Sequence, residues 1–286
     1  MTRTLVIGAT GTIGRQVVSQ LIEAGASIRA LVRDPSAAGL PPQAEVVRGD
    51  LTHPETLDRP LDGVDAVFLV WTAPPATVGP VLERIAQHAR RVVYLSAPLK
   101  TPHPLLQKPQ PNPSAALHAE IERRIESSRL EWTFLRPGML AANAVGWWAP
   151  QIRSGGLVRW PYLAAPSAPI DERDIAAVAL RALCGNGNAG ADYVLTGPQS
   201  LTQREQISII GTAIGRTLRI EEITPEEARN NWLPLWPASL RTMLLDAWAA
   251  AVGQRAFVTA AVEEITGTPA RPFPKWAADH AAEFRE

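Results

Sequence analysis

TLVIGATGTIGRQVVSQLIEAG, residues 4–25, begins as an apolar run, breaks into glycines and then turns amphipathic. Thr4–Gly8 reads as a buried strand. Residues 13–24 read as a helix with Ile13, Val17, Val18 and Leu21 on one side. Between them Gly8, Gly11 and Gly14 stand at G-x-x-G-x-x-G spacing. The first glycine permits a sharp turn, the second lets a ligand approach the backbone, and the third lets helix and strand pack closely. The N–H groups at the helix start would face an anion, which the helix dipole favours. A strand before such glycines and a helix after them is the context in which the pattern seats a pyrophosphate. Gly8, Thr10, Gly11, Thr12, Ile13 and Gly14 are therefore the expected cradle of a dinucleotide.

The neighbouring segments extend this reading. Residues 27–32 read as a second strand, and the segment ends ALVRDP (30–35). An NAD site usually places an acidic residue here to accept from the ribose 2′-hydroxyl. Arg33 instead suits a 2′-phosphate, so NADP(H) is expected, with NAD(H) the lesser alternative. Asp34 could accept from the ribose or cap the following turn. A third strand is expected over 44–47. Asp50 and Leu51 follow it, where an adenine ring would be held, although Asp50 equally suits a turn. A fourth strand is expected over 66–70, a helix over 78–88 and a fifth strand over 92–95. Such alternation with short loops predicts an α/β fold, a Rossmann-type doubly wound parallel sheet covered on both faces. Ligands bind beyond the carboxyl ends of such strands, so Trp71, Thr72 and Ala73 are candidate cofactor contacts.

The proline-rich stretch 100–113 reads as a loop, since a helix cannot cross it. Asn112-Pro113 restarts a helix, with Leu117, Ile121 and Ile125 on one face. A sixth strand is expected over 132–135, a returning helix over 174–183 and a seventh strand over 193–196. Residues 144–169 read as irregular. Helices and a short strand at 218–222 follow Thr202. The expected organisation is a dinucleotide-binding domain over 1–143, completed by 171–197. Residues 144–170 and 198–286 would form a smaller, mostly helical substrate-binding region.

Composition narrows the class. The 286 residues are 46% hydrophobic, enough for a large core. Twenty-eight basic residues balance twenty-eight acidic ones, which disfavours a nucleic acid or an anionic membrane as partner. No segment is apolar for long enough to span a bilayer. With one cysteine and no signal-peptide pattern, a soluble cytoplasmic protein, monomer or homodimer, is expected. The histidines show no ligand spacing with acids or Cys184, so no metal is expected. Eight of the nine tryptophans lie beyond residue 130. Trp147, Trp148 and Trp160 could line an apolar substrate pocket or pack a small second domain. Asn231–Trp236 and Trp248 leave the same choice.

GATGTIG, ALVRDP, the GDL after the third strand and TFLRPGMLAAN (133–143) together resemble the short-chain dehydrogenase/reductase superfamily. They are most similar to its atypical, NmrA-like branch of NAD(P)H-binding proteins. Reductases of the superfamily typically carry Tyr-x-x-x-Lys on the helix after the fifth strand, the tyrosine donating a proton and the lysine holding the ribose. Counting back from Arg136 by the family's spacing places Ser114 and His118 at those positions, with Glu122 beyond them. The resemblance implies that His118 lies near the cofactor ribose, and a histidine titrates near neutrality where a serine does not. It also implies that Ser96 contacts substrate or nicotinamide and that Pro137 flanks the nicotinamide. Ser96, Ser114 and His118 are thus the candidate catalytic residues. The activity implied is NADP(H)-dependent hydride transfer to a small, largely apolar carbonyl, quinone or activated alkene. The proton would come from His118, a substrate hydroxyl or water. Two alternatives stand beside it: an NADP(H)-sensing regulator without turnover, and a non-redox isomerase or cyclase.

Overall fold

The computed structural model describes residues 3–98, 113–231 and 238–285. Strands β1 (Arg3–Ile7), β2 (Ser27–Val32), β3 (Glu45–Arg48), β4 (Ala66–Val70), β5 (Arg91–Leu95) and β6 (Glu131–Pro137) are followed by two short strands, β7 (Leu157–Trp160) and β8 (Pro166–Ser167), and then by β9 (Ala191–Leu195). Seven of them form one sheet in the order β3-β2-β1-β4-β5-β6-β9. Every pairing in it is parallel. The order reverses between β1 and β4, the switch point at which such sheets open a ligand crevice.

Successive side chains of a strand point to opposite faces, and here both faces are apolar. Val6, Phe68, Val93, Leu135 and Leu195 form one core with helix α1 (Thr12–Glu23) and the buried face of a later helix, Glu172–Cys184. Leu5, Leu69, Tyr94 and Phe134 form another with the helices over Val78–His88 and Pro113–Glu126. With the short helix α2 at Asp58–Leu61, these are α3 (Val78–His88), α4 (Pro113–Glu126), α5 (Asn143–Gly155) and α6 (Glu172–Cys184). Val17, Val18 and Leu21 of α1 are fully buried, each contributing about 1.5–3 kcal/mol relative to exposure.

The stretch expected to be irregular, 144–169, holds α5 and β7. Pro150 inside α5 and the glycines around it hide the helical signal. Ala144, Trp148 and Ile152 recur every fourth residue and are all buried, and that burial offsets a proline penalty of about 3 kcal/mol. Strand β7 pairs in parallel with β11 (Arg219–Glu222), and β8 pairs antiparallel with β10 (Leu201–Thr202). Helices α7 (Gln203–Ala213), α8 (Pro225–Asn231), α9 (Ala238–Ala251), α10 (Ala261–Thr266), α11 (Phe273–Asp279) and α12 (Ala281–Phe284) complete the chain. Ile207, Ile210, Trp248, Phe273, Trp276 and Phe284 share a separate core with Trp148 and Trp160. Helix α10 departs from the expected division, because Val262 joins the core between the sheet and α6. Among the described residues no helix is long and apolar enough to cross a membrane.

Candidate dinucleotide and reductase site

The glycine turn joins β1 to α1 at the switch point. Gly8 has φ +84°, a conformation that L side chains rarely adopt, and a Cβ there would lie 2.7 Å from Val70 Cβ. A Cβ on Gly14 would lie 2.0 Å from the Gly8 carbonyl oxygen, so helix and strand touch backbone to backbone. Gly11 differs from both: a Cβ there would meet only that same oxygen, at 3.4 Å. Its other side is open. Gly11 is also the N-cap of α1, without any side-chain cap and with no acid in the first turn. The first-turn N–H groups are therefore left for an anion, and the positive end of the helix dipole favours one. Thr10, Gly11 and Thr12 are exposed at this turn, while the Ile13 side chain is buried beneath it. Arg15 ties the turn to the loop after β2, donating to Thr10 O at 3.0 Å, Gly39 O at 2.8 Å and Ala38 O at 3.0 Å. Nothing in the spacing of the glycines indicated that brace.

Arg33 is exposed directly after β2. Its acidic neighbour is occupied: the Asp34 carboxylate accepts from Ser36 N at 2.9 Å and Ser36 Oγ at 2.6 Å, capping a short turn. Those bonds hold the carboxyl below the usual carboxylate range. The residue that could have accepted from a ribose 2′-hydroxyl is thus a cap. Asp50 is likewise a turn residue, accepting from Thr52 N at 2.9 Å, and this bond lowers its pKa with a lesser attraction from Arg33. The expectation that Leu51 holds an adenine ring needs correction. Its side chain is only 3% exposed and packs in the core with Leu5 and Leu31, so only its backbone is available. At the end of β4 the Trp71 indole N–H donates to Ala73 O at 2.6 Å, folding that segment over the crevice edge, and Thr72 is exposed beside it.

At the end of β5, Ser96 N donates to Leu135 O at 2.8 Å. The Ser96 side chain is buried, and among the described residues its hydroxyl has no hydrogen-bond partner. A buried orphan hydroxyl costs about 1–3 kcal/mol and marks a place for a ligand or water. His118 lies on α4, half-buried, with Nδ1 2.6 Å from the Tyr94 hydroxyl. Burial pushes the His118 pKa down, and the carboxylate of Glu122 opposes that. Burial, with a lesser push from Glu122, raises the Tyr94 phenol. Glu122 is itself buried and engages Arg136 of β6 at 2.9 and 2.7 Å, with Asp192 completing the network. That bidentate pair fixes α4 against the sheet. The backbone of Ser114 opens α4, but its side chain lies outside the described residues, as do the loop over 100–112, Trp232 and Trp236. Pro137 ends β6, buried, and the next amide, Gly138 N, donates to Leu195 O at 2.9 Å.

Of the two roles expected of the tryptophans, packing is the one that Trp148 and Trp160 take. Trp148 and Trp160 are 0% and 1% exposed and belong to the core instead of lining an open pocket. The Trp160 indole N–H donates to Gln203 Oε1 at 2.6 Å. Trp147 is half-buried at the edge of the same cluster, its ring 5.5 Å from Trp248 and 6.0 Å from Trp160. Among the described residues no group of three His, Cys, Asp or Glu side chains is disposed to hold a metal ion.

The model of a family described as NAD(P)H-binding matches residues 8–184. A (4-alkanoyl-5-oxo-2,5-dihydrofuran-3-yl)methyl phosphate reductase of Streptomyces griseus is 39% identical, the match covering 98% of each chain. The NAD(P)H azoreductase of Xenophilus azovorans is 33% identical over the same shares. In fold, the chain is similar to the NADP(H) complex of Citrobacter sp. triphenylmethane reductase, with TM-score 0.78, 20% identity and coverage of 98% of this chain and 99% of that one. An NADPH-dependent quinone oxidoreductase of Escherichia coli gives TM-score 0.78 at 22% identity, covering 96% of this chain and 98% of that one.

Proposed function

The chain belongs to the NAD(P)H-binding family, and from that premise we propose an NADPH-dependent reductase acting on a small, largely apolar activated alkene, quinone or carbonyl. The observation that carries this reading is the open, uncapped glycine cradle at the switch point, with the exposed Arg33 beside it. Gly8, Gly11 and Gly14 fit a pyrophosphate, since the cradle has room for phosphate oxygens only where Gly11 lacks a Cβ. Arg33 would neutralise the 2′-phosphate, while Asp34, committed to its turn, would not compete with it. NADPH supplies, when bound, the hydride that with one proton completes the reduction.

The chain's own groups would do the rest by placement. Ser96, Pro137 and His118 would flank the nicotinamide side of the crevice, and Thr72 and Ala73 the ribose side. Ser114 and His118 stand where reductases of the wider superfamily carry tyrosine and lysine, so the site would work without that pair. The relatives' printed names guide the substrate class. An acylated oxo-dihydrofuran contains a carbon–carbon double bond activated by carbonyl groups, and an azo group is likewise an electron-poor double bond. Residues 144–170 with 198–286 would cover the substrate, and Trp147, half-buried at the edge of the tryptophan cluster, would touch it.

Loss of NADPH absorbance against a panel of acyl-butenolides, quinones and azo dyes tests the reading. Turnover with at least one class is expected. Tight NADPH binding without oxidation across the panel would instead support a sensor, the reading that serine and histidine at 114 and 118 favour.

A further inference from the structure

We propose that Tyr94 is a positioning residue that locks His118 as a neutral imidazole protonated on Nε2, so that His118 serves the site as a hydrogen-bond donor instead of as an acid. This deepens the reductase reading and rests on it. The Tyr94 hydroxyl and His118 Nδ1 are 2.6 Å apart, and Tyr94 is 0% exposed. The phenol keeps its proton in that setting. Nδ1 is the one acceptor that its O–H meets among the described residues, so the O–H donates to Nδ1 and the ring proton of a neutral imidazole sits on Nε2.

The surrounding charges support the neutral form. Among the described residues the charged group that acts on the ring is Glu122, one turn further along α4, itself paired with Arg136 of β6. Glu122 attracts a proton to His118, but its carboxylate is already engaged in two bonds to the Arg136 guanidinium. Burial of the ring outweighs what attraction remains, and pushes the histidine pKa down. Tyr94 lies on β5 and Ser96 just past its end, two residues on and about 7 Å away along an extended chain. The orphan Ser96 hydroxyl and the His118 ring that Tyr94 holds thus both lie by the carboxyl end of β5. A ligand oxygen placed there, on the cofactor ribose or on the substrate carbonyl, would accept from Nε2–H. Charge building on a substrate oxygen would be stabilised by a donor that needs no proton transfer. The proton that completes the reduction then comes from water.

The test reads the ring directly, in the unliganded protein. Long-range proton–nitrogen NMR on histidine-labelled protein, with His118→Gln to assign the signal, should show a single Nε2–H tautomer that persists from pH 6 to 9. In Tyr94→Phe, which keeps the ring volume, His118 should show mixed tautomers. With NADPH, Tyr94→Phe and His118→Gln should each lower kcat about tenfold if the acceptor is a substrate oxygen, or weaken NADPH binding about tenfold if it is a ribose hydroxyl. A His118 that titrates between pH 6 and 8 in the wild type, or a tautomer unchanged in Tyr94→Phe, would overturn the proposal even if the protein turns over. A protein that fails to bind NADPH would instead sink the reductase reading and leave the tautomer result standing.

Discussion

A methyl group on Gly14 would lie 2.0 Å from a backbone oxygen, and neither partner is a flexible side-chain end. Gly14→Ala should therefore cost about 1–3 kcal/mol in chemical denaturation and more in dinucleotide affinity, because relief of the clash moves the turn itself. Gly11→Ala removes no packing and should leave stability nearly unchanged while weakening the dinucleotide, read by calorimetry on the same two samples. Arg33 gives the opposite contrast. It is exposed, so Arg33→Ala should shift stability by less than about 0.5 kcal/mol. It should nevertheless weaken NADPH at least tenfold and leave NADH almost unaffected, since only one of the two carries the extra phosphate. Equal losses for both would show that Arg33 does not read the phosphate. These residues were legible in the sequence because their roles are local: a left-handed turn, a close approach, a charge at the end of a strand. Tyr94 was not, since nothing about a tyrosine in an apolar strand announces a bond to a ring 24 residues away. The inward direction of the Leu51 side chain was not legible either, since burial is set by the packed core.

Two elements are held by buried charge. Glu122 on α4 and Arg136 on β6 are 6% and 8% exposed, and removing Arg136 would leave the Glu122 carboxylate buried and uncompensated. Arg136→Met should cost about 3–5 kcal/mol. The double change Arg136→Met with Glu122→Leu should recover much of that loss in the same denaturation assay. At the other end of the chain, Glu172 of α6 accepts from the Trp276 indole at 3.2 Å and from His280 Nε2 at 3.1 Å. The His280 ring stacks on Trp276 at 4.5 Å. The Glu172 carboxylate raises the His280 pKa. A raised folded-state value means that protonated His280 stabilises fully below its unfolded pKa of about 6.5, and this is lost as pH rises through the folded value. The stability difference between wild type and His280→Gln should therefore be largest near pH 6 and fade by about pH 9 in thermal melts at fixed salt. A difference that grew with pH would contradict this account of the contact. Periodicity found most helices and strands, but not α5. Its Pro150 and flanking glycines argue against a helix locally, and only the core around Trp148 and Ile152 outweighs them.

At the scale of the molecule, the parallel order could be anticipated from strand–helix alternation, while the fate of the tryptophans could not. Burial is a tertiary outcome, and Trp148 and Trp160 are spent in the core that holds the C-terminal helices together. That core sits apart from the two that sandwich the sheet. Helix α10 crosses over, its Val262 joining the core that holds Ile175 and Val178 of α6. With Trp148 and Trp160 buried, the proposed substrate contact falls to Trp147, half-buried at the edge of that core. The central claim is that a 2′-phosphorylated dinucleotide sits on the backbone amides that open α1. Calorimetric titration of the wild-type protein with NADPH and with NADH, at neutral pH and in the same buffer, tests it most directly. We expect both to bind at one site per chain, NADPH at least tenfold more tightly. Heat from neither dinucleotide, or tighter binding of NADH, would contradict it.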